Sequence, residues 1–245
     1  MGPGFNHIAY AALDVCNALD MAAVIDAVHQ AGLAAGATVL DIGTGNGAVA
    51  IRLAGLGLSV TAVEGDARMA DLARDRIATS GADVDLVVAR SGTVLATRPP
   101  LDLIVSIGAI EPAGDGLRAP GAVFPALANH LRPGGFLLWG DVVWKGEPPE
   151  PLRQMMELNN IYADDAGWRA AATAAGLSVV SARMSSGSEW DRYGLAMQAA
   201  AEAWLFAHPD HPAAPAVIRS AERVRLMLAF GRPHMDFGLY LFRKD

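Results

Sequence analysis

The chain has 245 residues, of which 52% are hydrophobic and 18% charged, which is ordinary for a globular protein that buries a sizeable core. Its formal net charge of -7 opposes the counterion release on which nucleic-acid binders draw, so DNA or RNA is disfavoured as a partner. The single cysteine, Cys16, excludes an intrachain disulfide and a cysteine-based zinc cluster, while the absence of a signal-like start and of an apolar run of roughly 18 residues predicts a cytoplasmic protein without a membrane partner.

Residues 1–35 predict a helical cap, and from residue 36 apolar runs of strand length alternate with amphipathic runs of helix length. That alternation is typical of βαβ units and of a parallel sheet. The predicted strands cover residues 38–42, 58–63, 84–89, 101–107, 136–143, 177–184 and 236–242. The third and fourth are too apolar for surface strands, so we expect both to be buried. The predicted fold class is α/β, with a doubly wound, mostly parallel seven-stranded sheet.

Helices are predicted between these strands, and their ends carry stop signals. The helix over residues 121–131 ends at Arg132-Pro133-Gly134-Gly135, which terminates a helix strongly. Before the last strand, Ser188 and Asp191 have the spacing of a capping box, and the apolar stripe that follows predicts a long helix. We therefore interpret the chain as one domain, with a core over residues 36–184, a helical insertion over 185–232 and the last strand within 233–245.

The most informative segment is residues 39–47, where a buried strand runs into a glycine-rich turn and then a helix. Side chains at Gly43 or Gly45 would keep a ligand away from the backbone, so the turn favours close approach of a nucleotide-like molecule. Glu64 ends the second strand, where a carboxylate accepts hydrogen bonds from ribose hydroxyls in such folds. A plain helix cap is the alternative interpretation of Glu64.

This segment resembles the first motif of the class I S-adenosylmethionine-dependent methyltransferases, which Asp41, Gly43, Gly45 and Gly47 match. The likeness includes Glu64 and the turn over residues 131–135, and it covers residues 36–145. Further stretches, among them 140–144, 189–193 and 237–243, resemble a poorly characterised bacterial branch of these enzymes. The resemblance implies a Rossmann-like methyltransferase domain, S-adenosylmethionine as cofactor and a small-molecule acceptor.

The resemblance also implies which residues hold the cofactor. They lie at or just after the carboxyl ends of the first four strands and are Asp41, Gly43, Thr44, Gly45, Asn46, Gly47, Glu64, Gly65, Arg90, Ser91 and Ile107. Arg90 departs from the family pattern, because many members have an aspartate there that accepts a hydrogen bond from the adenine amino group. A guanidinium cannot accept one, so Ser91, a backbone carbonyl, water or packing alone holds the adenine.

Two carboxylates are candidate general bases for the acceptor's proton. Glu111 follows the fourth strand, where family members line the methyl-transfer pocket, although a solvent-facing loop glutamate is the alternative interpretation. Asp141 lies near the end of the fifth strand, with a loop or helix cap as its alternative. The segment after the fourth strand also lacks the Asn/Asp-Pro-Pro-aromatic motif of enzymes that methylate nucleobase amines or protein glutamine, which makes those substrates improbable.

Aromatic and histidine side chains outside the motif are candidates for the acceptor site. His7 and Tyr10 are predicted to form a lid, and Trp144, Trp190 and Tyr193 an aromatic wall around the acceptor. For Trp190 and Tyr193, ordinary helix packing is the alternative. His208 and His211 have too few other ligands nearby for a metal site and indicate a turn between helices, so no metal is predicted.

The leading functional hypothesis is transfer of a methyl group to a nitrogen or oxygen of a small molecule by in-line displacement. The main rival is an NAD(P)-dependent oxidoreductase, because Gly43, Gly45 and Ala48 also fit the relaxed dinucleotide-binding pattern. Asp41 and Gly47, together with the Pro-Gly-Gly turn, favour the methyltransferase. A protein that binds S-adenosylmethionine without catalysis is the third hypothesis. The sequence does not indicate the oligomeric state.

Overall fold

The computed structural model describes residues 3–114, 116–158 and 160–245. Within these ranges the strands are β1 (Thr38–Ile42), β2 (Ser59–Glu64), β3 (Val84–Val88), β4 (Leu101–Ile107), β5 (Leu131–Trp144), β6 (Leu177–Met184) and β7 (Met235–Lys244). They form one seven-stranded sheet in the order β3-β2-β1-β4-β5-β7-β6. The first five strands run parallel, and β7 is antiparallel to both β5 and β6. The predicted α/β class with a mostly parallel seven-stranded sheet is confirmed.

The helices alternate with these strands. They are α1 (Phe5–Ala11), α2 (Met21–Gln30), α3 (Ala48–Gly55), α4 (Ala67–Ser80), α5 (Ser91–Leu95), α6 (Pro120–Ala128), α7 (Glu150–Met156), α8 (Asp165–Ala174), α9 (Gly187–Ala207) and α10 (Ala214–Gly231). None of the helices in the described ranges combines the length and the hydropathy that crossing a bilayer requires.

Hydrophobic side chains cover both faces of the sheet because successive residues of a strand point to opposite faces. Val39 of β1 belongs to the cluster that packs with Val28 of α2, whereas its neighbour Leu40 packs with Phe124 of α6 on the other face. A third cluster joins the N-terminal helix α1 to α9 and α10. The last two helices lie between β6 and β7 in the chain. Residues of α1 and α10 line one cavity together with the carboxyl ends of the parallel strands.

The strand order reverses between β1 and β4. From β1 the chain builds β2 and β3 on one side and then crosses to β4 on the other. In open α/β sheets the crevice at such a switch point, beyond the carboxyl ends of the strands, is where ligands bind. The glycine turn after Ile42 lies at this position, because Ile42 pairs with Val63 of β2 and Ser106 of β4.

Two sequence predictions about the strands are wrong in detail. The third strand was expected to be buried, but β3 is the edge of the sheet and Val88 is 46% exposed. The fifth strand begins at Leu131 rather than at residue 136, because Leu131 pairs with Leu101 and a bulge follows before Leu103 pairs with Phe136. The preceding helix correspondingly ends at Ala128.

The capping box of α9 is Ser186 with Glu189, two residues before the predicted pair Ser188 and Asp191. The Glu189 carboxylate also accepts hydrogen bonds from the Arg183 guanidinium, at 2.6 and 2.9 Å, and from the backbone N–H of Asp20 at 3.0 Å. Burial opposes ionisation, but these donors outweigh it and lower the pKa of Glu189 to about 2. The start of α9 is thereby fixed to the N-terminal segment.

Candidate functional site

A cavity of about 650 Å³ opens at the carboxyl edge of the parallel strands. The turns after β1 to β4 form one side, and α1 with α10 forms the other. Ten of the predicted site residues line it: His7, Tyr10, Gly43, Gly45, Glu64, Gly65, Arg90, Ser91, Ile107 and Glu111. Its volume is in the range of small-molecule sites.

The glycine turn forms the floor of the cavity. Gly43, Gly45 and Gly47 have φ angles of 67°, 59° and 78°, which L side chains rarely adopt. A Cβ on Gly43 would lie 2.7 Å from the Cβ of Ala109, and one on Gly45 would lie 3.2 Å from the sulfur of Cys16. These two glycines therefore leave bare backbone at the ligand position. Gly47 does not line the cavity; a Cβ there would lie 3.2 Å from Ala73 of α4, so this glycine permits helix packing.

Glu64 connects the glycine turn to the turn after β2. Its carboxylate accepts hydrogen bonds from the backbone N–H groups of Gly45 and Asp66, each at 2.9 Å. Burial raises the pKa of Glu64, and these backbone donors oppose the shift. The cap of α4 is Asp66, whose side chain accepts from Arg68 N–H at 2.8 Å. Glu64 thus faces the cavity and is not the helix cap that was the alternative interpretation.

Asp41 and Thr44 lie beneath the turn and do not line the cavity. Asp41 is 4% exposed, and its carboxylate accepts a 2.6 Å hydrogen bond from the Thr44 hydroxyl. Burial raises the pKa of Asp41 to about 6, although the Thr44 hydrogen bond opposes the shift. These two side chains therefore support the glycine turn from beneath. Contrary to the prediction, they do not face the cavity in which a cofactor would bind.

Asn46 also points away from the cavity. Its side-chain amide donates hydrogen bonds to the carbonyl oxygens of Tyr10 and Leu13, each at 2.7 Å, and its oxygen accepts from Ala48 N–H at 3.1 Å. The side chain is 2% exposed. Asn46 therefore fixes the N-terminal segment to the glycine turn, and the expectation that it contacts the cofactor is corrected accordingly.

Glu111 lines the cavity in a strained loop. Its φ of 46° is positive, the one such value among the described non-glycine residues. The carboxylate accepts a hydrogen bond from Gly116 N–H at 3.2 Å, its carbonyl accepts from the Ser91 hydroxyl at 3.2 Å, and its own N–H donates to the Asn160 side-chain oxygen at 3.1 Å. Backbone strain held by such contacts is characteristic of functional loops.

Asp141 does not line the cavity, contrary to its predicted role as second base. It is 3% exposed; one carboxyl oxygen accepts from Val142 N–H at 2.9 Å, and the other makes no hydrogen bond to a described residue. Burial raises the pKa of Asp141 to about 7. The buried Asn160 side chain lies beside it, and this amide also donates to the Ala109 carbonyl at 2.9 Å. Asp141 thus belongs to the support of the Glu111 loop.

The predicted aromatic wall is not assembled. Trp144 and Trp190 are each 5% exposed and belong to the core, with the Trp144 indole donating to Glu157 at 3.2 Å. The Arg232 guanidinium lies 4.8 Å from the centre of the Trp190 ring. Tyr193 lies behind the cavity wall and shares a hydrogen bond with Tyr10, and burial raises the pKa of both phenols. Tyr10 and His7 do line the cavity, on α1.

The structure adds residues that the sequence analysis did not assign. Asn17 donates to the Ile107 carbonyl at 3.1 Å, and its side chain covers Gly108, where a Cβ would lie 2.6 Å from the amide. Cys16 lines the cavity, and burial raises the pKa of its thiol to about 11. Arg223 of α10 completes the wall opposite the glycine turn. No local motif marks these positions, because each comes from a segment distant in sequence.

Arg90 and Ser91 lie at the end of β3, beside Ala89, and all three line the cavity. The Ser91 hydroxyl donates to the Glu111 carbonyl, yet its oxygen keeps lone pairs that can accept. The geometry is thus compatible with Ser91 as the hydrogen-bond acceptor that Arg90 cannot be.

Comparison with known proteins agrees with this geometry. A family model described as a methyltransferase domain matches residues 39–135. A ubiquinone biosynthesis O-methyltransferase of Xylella fastidiosa is 36% identical over 103 residues, which cover 42% of this chain and 40% of that protein. The protein of the same name from Caulobacter vibrioides is 32% identical over 103 residues, or 39% of its length. The chain therefore spans about two fifths of the length of these curated relatives.

Two solved structures match the fold over nearly the whole chain. Both are SAM-dependent methyltransferases in complex with S-adenosyl-L-homocysteine. The one from Thiobacillus denitrificans has a TM-score of 0.80 at 23% identity, and the one from Geobacter sulfurreducens 0.81 at 22%. Each match covers 100% of this chain and 99% of the other.

Proposed function

We propose that the chain is a class I S-adenosylmethionine-dependent methyltransferase, and that it transfers the methyl group of this cofactor to a nitrogen or oxygen of a small-molecule acceptor. One observation carries the proposal: the Glu64 carboxylate lies 2.9 Å from Gly45 N–H, above bare backbone, at the floor of a 650 Å³ cavity. A carboxylate beside an uncovered turn suits a ribose and the chain attached to it.

The residues at the strand ends fit the cofactor. Glu64 keeps lone pairs for the ribose hydroxyls, and Gly43 and Gly45 leave space for the methionine part. Ser91 is the acceptor proposed for the adenine amino group, with Arg90 beside it. Ile107, at the end of β4, also lines the cavity.

When bound, S-adenosylmethionine would supply an activated methyl group on its sulfonium: the lone pair of the acceptor would form the new bond to the methyl carbon, and the electron pair of the broken C–S bond would stay on sulfur. The protein's task is then to align the acceptor and to exclude water. His7 and Tyr10 on α1, Asn17 and Arg223 surround the remaining space. Glu111 is the group proposed to take the acceptor's proton, since this residue lines the cavity and its carboxylate keeps lone pairs beyond the hydrogen bond from Gly116.

The two rival hypotheses gain nothing from the comparisons, which match methyltransferases. An oxidoreductase would bind NADH in the same cavity, whereas a non-catalytic protein would bind S-adenosylhomocysteine without turnover. Titration with both ligands, followed by turnover assays, separates the three.

Replacing Glu64 by alanine is expected to weaken S-adenosylhomocysteine binding by roughly 1–3 kcal/mol, or about 5- to 150-fold in Kd, because the ribose loses its acceptor. Isothermal titration calorimetry measures this. Asp85→Ala is the matched control, since Asp85 lies on the neighbouring β3 and does not line the cavity. Unchanged affinity in the Glu64 variant, or stronger binding of NADH than of S-adenosylhomocysteine by the wild type, would contradict the proposal.

Glu111→Gln is expected to lower kcat by about a hundredfold or more while leaving S-adenosylhomocysteine affinity within about twofold, because a general base acts on the acceptor and not on the cofactor. Formation of S-adenosylhomocysteine with hydroxybenzoates and primary amines as trial acceptors measures kcat. Glu150→Gln on the exposed start of α7 is the control. Full activity in the Glu111 variant would exclude its role as base.

A further inference from the structure

A second cavity, of about 600 Å³, is an open groove along α10, with Met155 of α7 on its other side. Its apolar walls are Met155, Ile218, Leu226, Met227 and Phe230. Three of these, Ile218, Leu226 and Phe230, are 54%, 52% and 50% exposed. Exposed apolar side chains that form one contiguous patch mark a binding site more often than apolar side chains scattered singly over a surface.

The groove adjoins the first cavity, which the glycine turn and Glu64 line. Helix α7 follows the carboxyl end of β5, so both cavities open at the same edge of the sheet. Arg223 lines both cavities. On α10 its neighbours Ser220 and Val224 face the first cavity, and Leu226 and Met227 face the groove. One ligand can therefore occupy both spaces by passing Arg223.

The charge of the groove favours an anion. Arg219 and Arg223, one helical turn apart, make no hydrogen bond or ion pair to the part of the chain that the structure describes. Among the described residues that line the groove, Glu222 is the one carboxylate, and it accepts hydrogen bonds from Arg225 at 2.7 and 2.9 Å. Two guanidinium groups that have no partner among the described residues, beside an apolar wall, suit a ligand with an acidic group and an apolar chain.

We infer that the methyl acceptor is an anionic amphiphile: its reacting hydroxyl or amine enters the first cavity, its acidic group binds Arg223, and its apolar chain lies in the groove between α7 and α10. This inference rests on the proposed function for the first part and on the groove for the second. A groove that shares Arg223 with the first cavity suits an apolar chain attached to the acceptor better than it suits a separate protein or a membrane surface.

The test uses dodecanoate as the probe and the full chain, in the presence and absence of S-adenosylhomocysteine. Titration calorimetry below the micellar concentration is expected to show saturable binding of dodecanoate, with weaker binding of hexanoate and of dodecyltrimethylammonium. Leu226→Ser and Arg223→Gln are each expected to weaken dodecanoate binding at least about tenfold. Phe206→Ser and Arg74→Gln are the matched controls, because both side chains are exposed on other helices.

The outcomes separate this inference from the proposed function. Glu64→Ala is expected to lose S-adenosylhomocysteine affinity and to keep dodecanoate affinity. Failure of S-adenosylhomocysteine to bind the wild type would overturn the proposed function. Binding of dodecanoate to the groove would still be measured independently of that result. Equal dodecanoate binding in the wild type and the Leu226 and Arg223 variants would overturn the inference. So would adsorption to anionic phosphatidylglycerol vesicles without binding of monomeric dodecanoate, or a dimer that Leu226→Ser dissociates.

Discussion

Asn46→Ala is expected to lower the free energy of unfolding by about 3 kcal/mol, since it removes three hydrogen bonds from a buried position. It also releases the segment around Tyr10 and Leu13 from the glycine turn. We therefore expect this segment to become sensitive to limited proteolysis and the affinity for S-adenosylhomocysteine to fall, because the cavity loses one wall. Urea unfolding at neutral pH measures the free energy, and mass spectrometry locates the cleavage.

Arg76→Ala is the matched control for Asn46. The Arg76 guanidinium donates to the Leu13 and Ala11 carbonyls, each at 3.0 Å, from a partly exposed position on α4, and the bond to Ala11 is exposed. Water can replace the guanidinium at these two carbonyls more easily than it can replace the buried Asn46 amide, so this variant is expected to lose about 1 kcal/mol, less than Asn46→Ala. If Asn46→Ala were as stable as the wild type and lost only cofactor affinity, Asn46 would be a ligand-contacting residue, as the sequence first indicated.

The parts of the fold that the sequence predicted well are those with local causes. The strands over 38–42, 101–107 and 177–184 have the predicted bounds, because short apolar runs between turn residues suffice to define them. The glycine turn was predicted for the same reason, since positive φ at Gly43 and Gly45 requires that residue type. Glu64 was found because its distance from the turn is set by one βαβ unit.

The errors come from contacts that are distant in sequence. The apolar composition of β3 predicted a buried strand. The strand lies at the edge of the sheet instead, because it pairs with β2 alone, and strand pairing is not encoded locally. Glu189 accepts from Asp20, 169 residues away, and no local pattern distinguishes it from Asp191 as the capping residue. Asn46 fits the cofactor motif by position. Its hydrogen-bond partners, however, are the carbonyls of Tyr10 in α1, 36 residues earlier, and of Leu13 just after α1, 33 residues earlier.

The acceptor side of the site was the least predictable for a related reason. The cofactor side is built from the ends of consecutive strands, whereas the acceptor side joins α1 to α10, more than two hundred residues later in the chain. Trp190 and Tyr193 are aromatic residues of the kind that line acceptor sites, but both pack between α9 and the hydrophobic core. The position of Arg223 follows from the way α10 crosses the cavity, which its own sequence does not specify.

Asp141 shows how a residue outside the cavity can act on it. Its carboxyl lies beside Asn160, and Asn160 holds the loop of Ala109 and Glu111 through two hydrogen bonds. The strained φ of Glu111 is thus supported from beneath by buried polar groups. The cost of this arrangement is a carboxyl group taken out of water, and that cost depends on pH.

The largest effect of pH on stability is expected from Asp141. Its pKa is raised from 3.8 to about 7 by burial, so the folded protein retains a proton that the unfolded chain releases near pH 4. A raised pKa in the folded state contributes stability at low pH that is lost as the pH rises through about 7. The shift corresponds to about 4 kcal/mol in the free energy of unfolding. Asp41, with a pKa of about 6, adds to the fall in the same direction.

Asp141→Asn removes the ionisable group and keeps an oxygen that can accept from Val142 N–H. Relative to the wild type, this variant is therefore expected to gain about 4 kcal/mol between pH 4 and pH 8, in urea unfolding at both pH values. Asp83→Asn, at an exposed position before β3, is expected to follow the wild type at every pH. Parallel curves for the Asp141 variant and the wild type would mean that the buried carboxyl ionises without penalty. They would show that the polar side chains beside it, Asn160 and Arg118, fully offset its burial next to Trp139 and Trp168.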